Sequence, residues 1–302
     1  MLWFVCGASL LFCGQASGPG FLASPYSAAY YRSGTPGRDD QSIEVFALAG
    51  SPLKIPLPVV LGRIAYSPQG DSVYGEVALG AAAGSRIVRV QFEPTRFAGV
   101  PGSAGVGKLN SIAVAPNGTI VFSGSYASGE VHDCGVFVLD PAVPRVRKVL
   151  DQADTGCRYA PAWLALSVSP DGVRAAAVRS GELDVIDLVS GTVKSIGTGF
   201  QEANWSPDGR WLAGLVDGDK EEAVLFDART LARGKVLGIS GARWSPDSTF
   251  LLGLTPHGCG SMSYAGTLEA VEVASGRRAQ FESSHCRVNQ PTFGWIRTAK
   301  AR

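Results

Sequence analysis

Several features that would indicate a particular class of protein are missing from this 302-residue sequence. No stretch has the 3.6-residue periodicity of an amphipathic helix, so the pattern does not favour a helical fold. No cluster of Lys and Arg with interleaved aromatic residues occurs, and 27 basic residues are balanced by 26 acidic ones, so a nucleic-acid-binding role is not supported. A Gly-x-Ser-x-Gly motif is also absent, which excludes the nucleophile elbow of a serine hydrolase.

Glycine and proline are abundant, with 38 and 18 residues, and both occur in one recurring turn. In the stretch 204–215, Ser206-Pro207-Asp208-Gly209 separates two short apolar runs. A type I β-turn favours Ser at its first position, Pro at its second and Gly at its fourth. The stretch therefore predicts a hairpin of two strands joined by a tight turn.

The same turn recurs along the chain at intervals of 37 to 54 residues. Its copies are Ser67-Pro68-Gln69-Gly70, Ala115-Pro116-Asn117-Gly118, Ser169-Pro170-Asp171-Gly172, Ser206-Pro207-Asp208-Gly209 and Ser245-Pro246-Asp247-Ser248. A third apolar run follows each of the later hairpins and ends in an acid, at Asp140, Asp187, Asp227 and Glu272. We interpret these acids as turn formers that bind nearby backbone. A fourth short strand completes each unit, and four strands per repeat is the pattern of a β-propeller blade.

These repeats resemble the WD40-like, or TolB-like, β-propeller family, whose signature is a strand, Ser-Pro-Asp-Gly and an apolar strand. The resemblance covers roughly residues 24–298 and is specific for the fold. Gln69 and Asn117 depart from it, and the Gly-His and Trp-Asp pairs of true WD40 repeats are absent. The resemblance implies an all-β protein.

Five turns need a sixth blade to close a ring, and the two ends of the chain supply complementary parts of it. Residues 28–34, 42–50 and 52–58 read as three strands with no such turn before them, and residues 290–296 read as an innermost strand with no hairpin after it. We therefore predict a six-bladed β-propeller of four-stranded antiparallel blades, closed by a C-terminal strand that completes the N-terminal blade. The propeller is expected to span 28–298, after a linker at 17–27 and before a tail at 299–302.

The first 16 residues are apolar for most of their length and end in Gly14-Gln15-Ala16, as a signal peptide does before its cleavage site. The segment is too short to span a bilayer. No Lys or Arg precedes Arg32, so either the true start lies upstream or export is atypical. We expect a periplasmic or secreted protein without a transmembrane segment.

Cysteine placement supports export independently. Outside the leader the cysteines are Cys134, Cys157, Cys259 and Cys286. Cys134 and Cys259 are predicted in the loops between the second and third strands of their blades, and Cys157 and Cys286 in the connections that leave the same blades. Of three connectivities we favour Cys134–Cys157 and Cys259–Cys286, each worth about 3 kcal/mol on the chain-entropy model. Such bonds persist in oxidising compartments.

All three histidines lie beside these cysteines, which raises the question of a metal site. Oxidised sulfurs cannot act as thiolate ligands, so we predict no metal site at these residues. We also predict no cofactor and no catalytic residues. The predicted ligand surface consists of the polar residues of these loops, namely His132, Asp133, Arg158, Tyr159, His257, Tyr264, His285 and Arg287. The alternative, that these residues only cover two blade edges, is equally compatible with the sequence.

Two functions from different classes remain. The family resemblance implies a non-catalytic binding or scaffold module of the bacterial envelope, monomeric, with a protein, peptide or glycan as its partner. The alternative is a propeller enzyme, a lactonase-like hydrolase or a lyase, with a site in the central channel, where such enzymes often hold a divalent cation. Fold alone does not decide between them.

Overall fold

A computed structural model describes residues 25–32, 42–46, 53–79, 85–128, 131–151, 164–216, 222–239, 241–258, 264–282 and 292–297. Within these ranges the chain forms six four-stranded antiparallel sheets and no helix. Each sheet is one blade, whose strands we call A to D from the innermost to the outermost. The described part of the chain accordingly offers no helix of the length and apolarity needed to cross a membrane.

Strand bounds are as follows. Blade 1 contains β1 (Tyr26–Arg32), β2 (Ser42–Phe46), β3 (Leu53–Pro56) and β24 (Thr292–Arg297). Blade 2 contains β4 (Ile64–Tyr66), β5 (Ser72–Ala78), β6 (Ser85–Phe92) and β7 (Thr95–Gly99), and blade 3 contains β8 (Val106–Val114), β9 (Ile120–Ser128), β10 (Val131–Asp140) and β11 (Arg145–Asp151).

The second half of the ring repeats this arrangement. Blade 4 contains β12 (Leu164–Val168), β13 (Arg174–Arg179), β14 (Glu182–Asp187) and β15 (Val193–Thr198), and blade 5 contains β16 (Phe200–Trp205), β17 (Trp211–Val216), β18 (Glu222–Asp227) and β19 (Arg233–Leu237). Blade 6 contains β20 (Arg243–Trp244), β21 (Phe250–Gly258), β22 (Tyr264–Glu272) and β23 (Arg278–Glu282).

The C-terminal strand closes the ring as predicted. The order of strands in blade 1 is β24-β1-β2-β3, so the last strand of the chain is the innermost strand of the first blade. β24 and β1 pair antiparallel, with Ala28 opposite Trp295 and Tyr26 opposite Arg297. Because the two ends of the chain share one ladder, blade 1 has four strands like the other blades, and the ring is closed between its first and last blades.

Hydrophobic residues between neighbouring blades form the core. The described residues contain six buried clusters, and each joins two adjacent blades. The cluster that contains Phe250 and Trp295 joins blade 6 to blade 1 and so completes the circle. Middle strands such as β17 and β18 are buried on both faces, which explains why their sequences are continuous apolar runs. Outer strands such as β7 are exposed throughout.

The recurring turn has the geometry that its sequence predicts. In each of the five copies the amide of the fourth residue donates to the carbonyl of the first, at 2.8 to 2.9 Å. In blades 4, 5 and 6 the Ser hydroxyl also accepts a hydrogen bond from the amide five residues later, at 2.9 Å. It donates to the Asp carboxylate two residues later, as Ser206 does to Asp208 at 2.6 Å. One side chain thus joins the turn to the strand that follows.

The two divergent copies reach the same hairpin differently. In blade 2 the carboxylate of Asp71 accepts the hydrogen bond from Ser67 at 2.7 Å, so Asp71 replaces the Asp that Gln69 lacks. In blade 3 the turn is one residue shorter, because the Ala115 amide donates to the carbonyl of Thr119, whereas the Ser206 amide donates to that of Trp211. A serine is therefore not needed in blade 3.

The acids that end the third strands are turn formers, with one exception. Asp140 and Asp187 accept hydrogen bonds from backbone amides two residues later, at 2.9 Å in both cases, and Asp227 does the same at 3.1 Å. Glu272 instead accepts hydrogen bonds from the side chains of Ser275 and Arg277. The prediction of a backbone contact was wrong there, because the longer Glu side chain extends past the nearby amides.

Candidate functional site

A channel on the ring axis forms a cavity in the described structure. Its volume is about 190 Å³, and strands β4, β8, β12, β16, β20 and β24 form its wall. Prolines of the recurring turns also line it, namely Pro68, Pro116, Pro170, Pro207 and Pro246. The cavity therefore lies at the face of the propeller that carries the A–B turns.

Hydrogen bonds between neighbouring blades hold the channel wall. The Ser111 hydroxyl accepts a hydrogen bond from the Leu166 amide at 2.9 Å, and the Ser167 hydroxyl accepts one from the Trp205 amide at 2.8 Å. These amides lie on innermost strands, whose free edges face the axis. Since side chains of the preceding blade satisfy them, the wall is fixed between blades as well as within them.

Indole groups continue the same pattern. Trp244 Nε1 donates to the Asn204 carbonyl at 3.0 Å, and Trp295 Nε1 donates to the Arg243 carbonyl at 2.9 Å. Each tryptophan thereby fixes the backbone of a polar residue that lines the channel. The positions of Asn204 and Arg243 are consequently defined by the core.

Arg243 is the one charged residue among the described residues that line the channel. Its Nη1 donates to Asn204 Oδ1 at 2.8 Å and forms an ion pair with the Glu202 carboxylate. Asn204 Nδ2 donates to the same carboxylate at 2.5 Å. The guanidinium carbon lies 6.0 Å from the ring centroid of Phe293, within the range of a cation–π interaction. The four side chains form one connected cluster on β16, β20 and β24.

Tyr66 adds a phenol to the wall beside this cluster. Burial raises the pKa of Tyr66 well above its usual range, against the smaller opposite effect of the Arg243 charge. The phenol is therefore protonated at neutral pH. A Cβ atom on Gly294 would lie 2.4 Å from Cδ2 of the Tyr66 ring, so a glycine is required where β24 passes this side chain.

Of the ligand residues predicted from the sequence, those that the structure describes lie on the opposite face of the ring. Asp133 is in strand β10, where its carboxylate forms an ion pair with Lys148 at 2.9 Å. His132 and Cys134 are in the same strand, paired with Ala127 and Ser125 of β9. The prediction that these three residues lie in a loop was wrong, because the β9–β10 hairpin extends to Val131 and Ser128.

Blade 6 has an equivalent long hairpin. His257 is in β21 opposite Ala265, and Tyr264 is in β22 opposite Gly258, so these two residues are also in strands and not in a loop. Blades 3 and 6 are separated by two blades in either direction around the ring. The structure therefore brings His132 near Asp133, and His257 near Tyr264, but places the two pairs on opposite sides of the axis.

The other predicted residues lie outside the described ranges, namely Arg158, Tyr159, His285, Arg287, Cys157, Cys259 and Cys286. Cys134 is disulfide-bonded. Its pairing with Cys157, and that of Cys259 with Cys286, remain predictions. Among the described residues, no group of three or more His, Cys, Asp or Glu is placed to hold a metal ion.

Sequence reasoning missed the cluster in the channel, although a signal for it exists. The positions two residues before each recurring turn are Ala65, Ala113, Ser167, Asn204 and Arg243. The last three are polar, in the strand where the first two copies have alanine. Comparing this position between repeats identifies the blades that contribute polar groups to the axis. The resulting chemistry is hydrogen bonding from guanidinium, amide, hydroxyl and phenol groups.

Comparison with known proteins identifies the fold. No protein-family model and no curated protein matches the sequence. Among solved structures, TolB from Acinetobacter baumannii superposes with a TM-score of 0.61 at 15% sequence identity. The superposition covers 89% of this chain and 66% of the TolB chain, so this chain spans about two thirds of the length of TolB.

Two further solved structures are similar to this chain in fold. A chain of a nidogen/laminin complex gives a TM-score of 0.54 at 12% identity, covering 91% of this chain and 100% of that one. A protein from Bacteroides fragilis with a provisional assignment as a 6-phosphogluconolactonase gives 0.51 at 13% identity, covering 90% and 98%. At these identities the similarity concerns the fold alone. The chain is thus a TolB-like six-bladed β-propeller in its fold.

Proposed function

We propose that this protein is a non-catalytic, exported binding module that holds its partner at the mouth of the central channel. The observation that carries the proposal is the composition of the channel wall. Its described lining residues provide one guanidinium, an amide, a phenol and several hydroxyls, but no His, Cys, Asp or Glu. General acid–base catalysis most often needs His, Asp or Glu, and divalent-metal hydrolysis needs metal ligands from the same groups. Directional hydrogen bonding to a ligand does not.

Rigidity of the wall supports the same conclusion. Polar groups on strands, held by bonds from neighbouring blades, keep one geometry in the free protein. A preorganised surface loses little conformational entropy when a partner binds, which favours affinity. The partner is a protein, peptide or glycan of the envelope or secreted space, in keeping with the family resemblance.

Export is proposed on two observations. The apolar leader ends in small residues, and Cys134 is disulfide-bonded. Cell fractionation with thiol alkylation tests this: we expect the protein outside the cytoplasm with Cys134 protected until a reductant is added. A cytoplasmic protein with Cys134 alkylated at once would contradict export without affecting the channel.

A photo-crosslinking amino acid placed at different positions tests the binding surface. Gln69 and Asn117 are exposed positions on the A–B turns, Asp133 is on the opposite face, and Lys194 is on the outer edge of blade 4. We expect discrete adducts from Gln69 and Asn117 in the producing cell and none from Lys194. Adducts from Asp133 alone would move the site to the face predicted from the sequence.

A parallel assay addresses the alternative function. Purified protein is incubated with a panel of lactones, with and without added Ca²⁺, Mg²⁺ or Zn²⁺. We expect no turnover above that of an Arg243→Met variant. Turnover that depends on Arg243 would refute the non-catalytic role and favour a propeller enzyme.

A further inference from the structure

Arg243 is held on one side only. Nη1 makes both of the polar contacts of the guanidinium group, with Asn204 Oδ1 and with the Glu202 carboxylate. Among the described residues, Nε and Nη2 have no hydrogen-bond acceptor. The side chain is 32% exposed and lines the channel, whereas the side chain of Glu202 is 16% exposed and does not line it. Two donors of the guanidinium group are thus left without a protein partner at the cavity.

The free donors have a defined geometry. Nε and Nη2 form one edge of the planar guanidinium group, with two parallel N–H bonds whose spacing matches the two oxygens of a carboxylate. Asn204 and Glu202 hold the opposite side of the plane, and the Phe293 ring lies 6.0 Å away. The Trp295 indole fixes the backbone carbonyl of Arg243. The edge is therefore oriented before any ligand binds.

The surroundings suit a small anionic group. Aromatic side chains line the cavity, namely Tyr66, Trp205, Trp244, Phe293 and Trp295. Charge-assisted hydrogen bonds are stronger in such a low-dielectric site than in water. The cavity volume of about 190 Å³ leaves room for a small ligand. A short carboxylic acid, or the terminal residue of a peptide, is of this size.

We propose that the channel binds a carboxylate through the Nε–Nη2 edge of Arg243. The inference rests on the proposed binding function and specifies its ligand chemistry. Two sources of this group are a free small carboxylic acid and the C-terminal carboxylate of a peptide. Glu202 and Asn204 act as positioning residues, because they orient the guanidinium group without occupying its free edge.

The proposal is tested by titrating the purified full-length protein with candidate ligands. Binding is measured by calorimetry and by the fluorescence of the channel tryptophans. The probes are succinate, acetyl-Ala-Ala with a free C-terminal carboxylate, the same peptide amidated, and inorganic phosphate. We expect saturable binding of at least one carboxylate, weakened at least tenfold in Arg243→Lys, which keeps the charge but loses the planar edge. The amidated peptide is expected not to bind.

Two controls separate a lost contact from a lost fold. Arg174 likewise lies over an aromatic ring, with its guanidinium carbon 4.8 Å from the centroid of the Trp205 ring, but it does not line the channel. Arg174→Lys should leave carboxylate affinity within twofold of wild type. Each variant is first checked for an unchanged circular dichroism spectrum.

Each outcome has one meaning. Binding of succinate but not of the peptide identifies a small acid as the source, and binding of the free but not the amidated peptide identifies a peptide terminus. No saturable binding of either carboxylate, equal binding of phosphate, or unchanged affinity in Arg243→Lys would overturn the proposal. Crosslinks from Asn117 without carboxylate binding would refute this inference alone, whereas carboxylate binding with turnover would refute the non-catalytic function alone.

Discussion

Replacing Ser206 by alanine should destabilise the propeller through one hydroxyl group. Ser206 is fully buried, and its Oγ accepts a hydrogen bond from the Trp211 amide at 2.9 Å while it donates to Asp208 at 2.6 Å. Ser206→Ala leaves the amide without an acceptor. A buried polar group left unpaired costs about 1–3 kcal/mol. At about 2 °C per kcal/mol for a chain of this size, the melting temperature should fall by roughly 2 to 6 °C.

Thermal and urea unfolding followed by circular dichroism measure this loss. Ser190→Ala is the matched control, because the Ser190 hydroxyl donates to Asp187 at 3.0 Å in an exposed turn. An exposed change of this kind should alter the free energy of unfolding by less than about 0.5 kcal/mol. Ala115→Ser in the shorter turn of blade 3 should not raise stability, since the amide of Thr119 is bound there by Asn117.

The reasoning would be refuted if Ser206→Ala unfolded at the same urea concentration as Ser190→Ala. It would also fail if Ala115→Ser were stabilising, because the hydroxyl would then be favourable at any copy of the turn. Agreement at Ser206, with equal losses at Ser169 and Ser245, would show that the three turns are energetic copies as well as geometric ones.

Three further predictions concern closure, close packing and pH. Deleting residues 288–302 should unfold the ring or lower its melting temperature by far more than about 10 °C, because β1 loses β24, one of the two strands with which it pairs. Trp295→Ala alone should cost about 3–5 kcal/mol. A truncated protein that melts like the full chain would contradict the closure. Gly294→Ala should cost about 1–3 kcal/mol by forcing its Cβ against Tyr66, whereas Gly238→Ala, which meets only the flexible Arg278, should be tolerated in the same unfolding assay. Burial, and after it the charge of Glu182, raises the pKa of Asp184, so the native state binds a proton at this carboxyl more readily than the unfolded chain does. The stability that Asp184 contributes is therefore present below the usual pKa of aspartate and is lost as pH rises through the raised value. Hydrogen bonds from Ser190 and Val189 lower the pKa of Asp187, so its contribution is present above the usual pKa of aspartate and lost as pH falls through the lowered value. Urea unfolding of Asp184→Asn and Asp187→Asn between pH 3 and pH 7 should therefore change the pH slope in opposite directions, and equal changes would contradict this assignment.

Local chemistry made the blades predictable from the sequence. Ser, Pro and Gly each have one preferred slot in a type I turn, and a strand buried on both faces has a continuous apolar run, so the hairpin from Asn204 to Leu215 can be recognised without neighbours. Five copies of the turn predicted five blades, and the strands left over at the two ends of the chain, including 290–296, predicted the sixth blade and the closure. These conclusions depend on residues close together in the chain.

Prediction of the ligand surface depended on distances that the sequence does not contain. His132 and His257 occur in similar local contexts, beside cysteines, and this similarity suggested one surface. Blades 3 and 6 lie opposite each other in a ring of six, so repeats that are alike in sequence are far apart in space. The loop assignment failed because hairpin length is set by cross-strand pairing, which extends β10 to Val131.

The sequence by itself determined the blade, the number of blades and the closure, because turn preference and apolar periodicity are properties of short segments. Only the tertiary structure decided which side chains meet on the axis. Glu202, Asn204 and Arg243 come from neighbouring blades, and Phe293 comes from the strand that closes the ring. Their contact depends on how the ring closes, since residues about 40 to 90 positions apart become neighbours only when the blades pack around one axis.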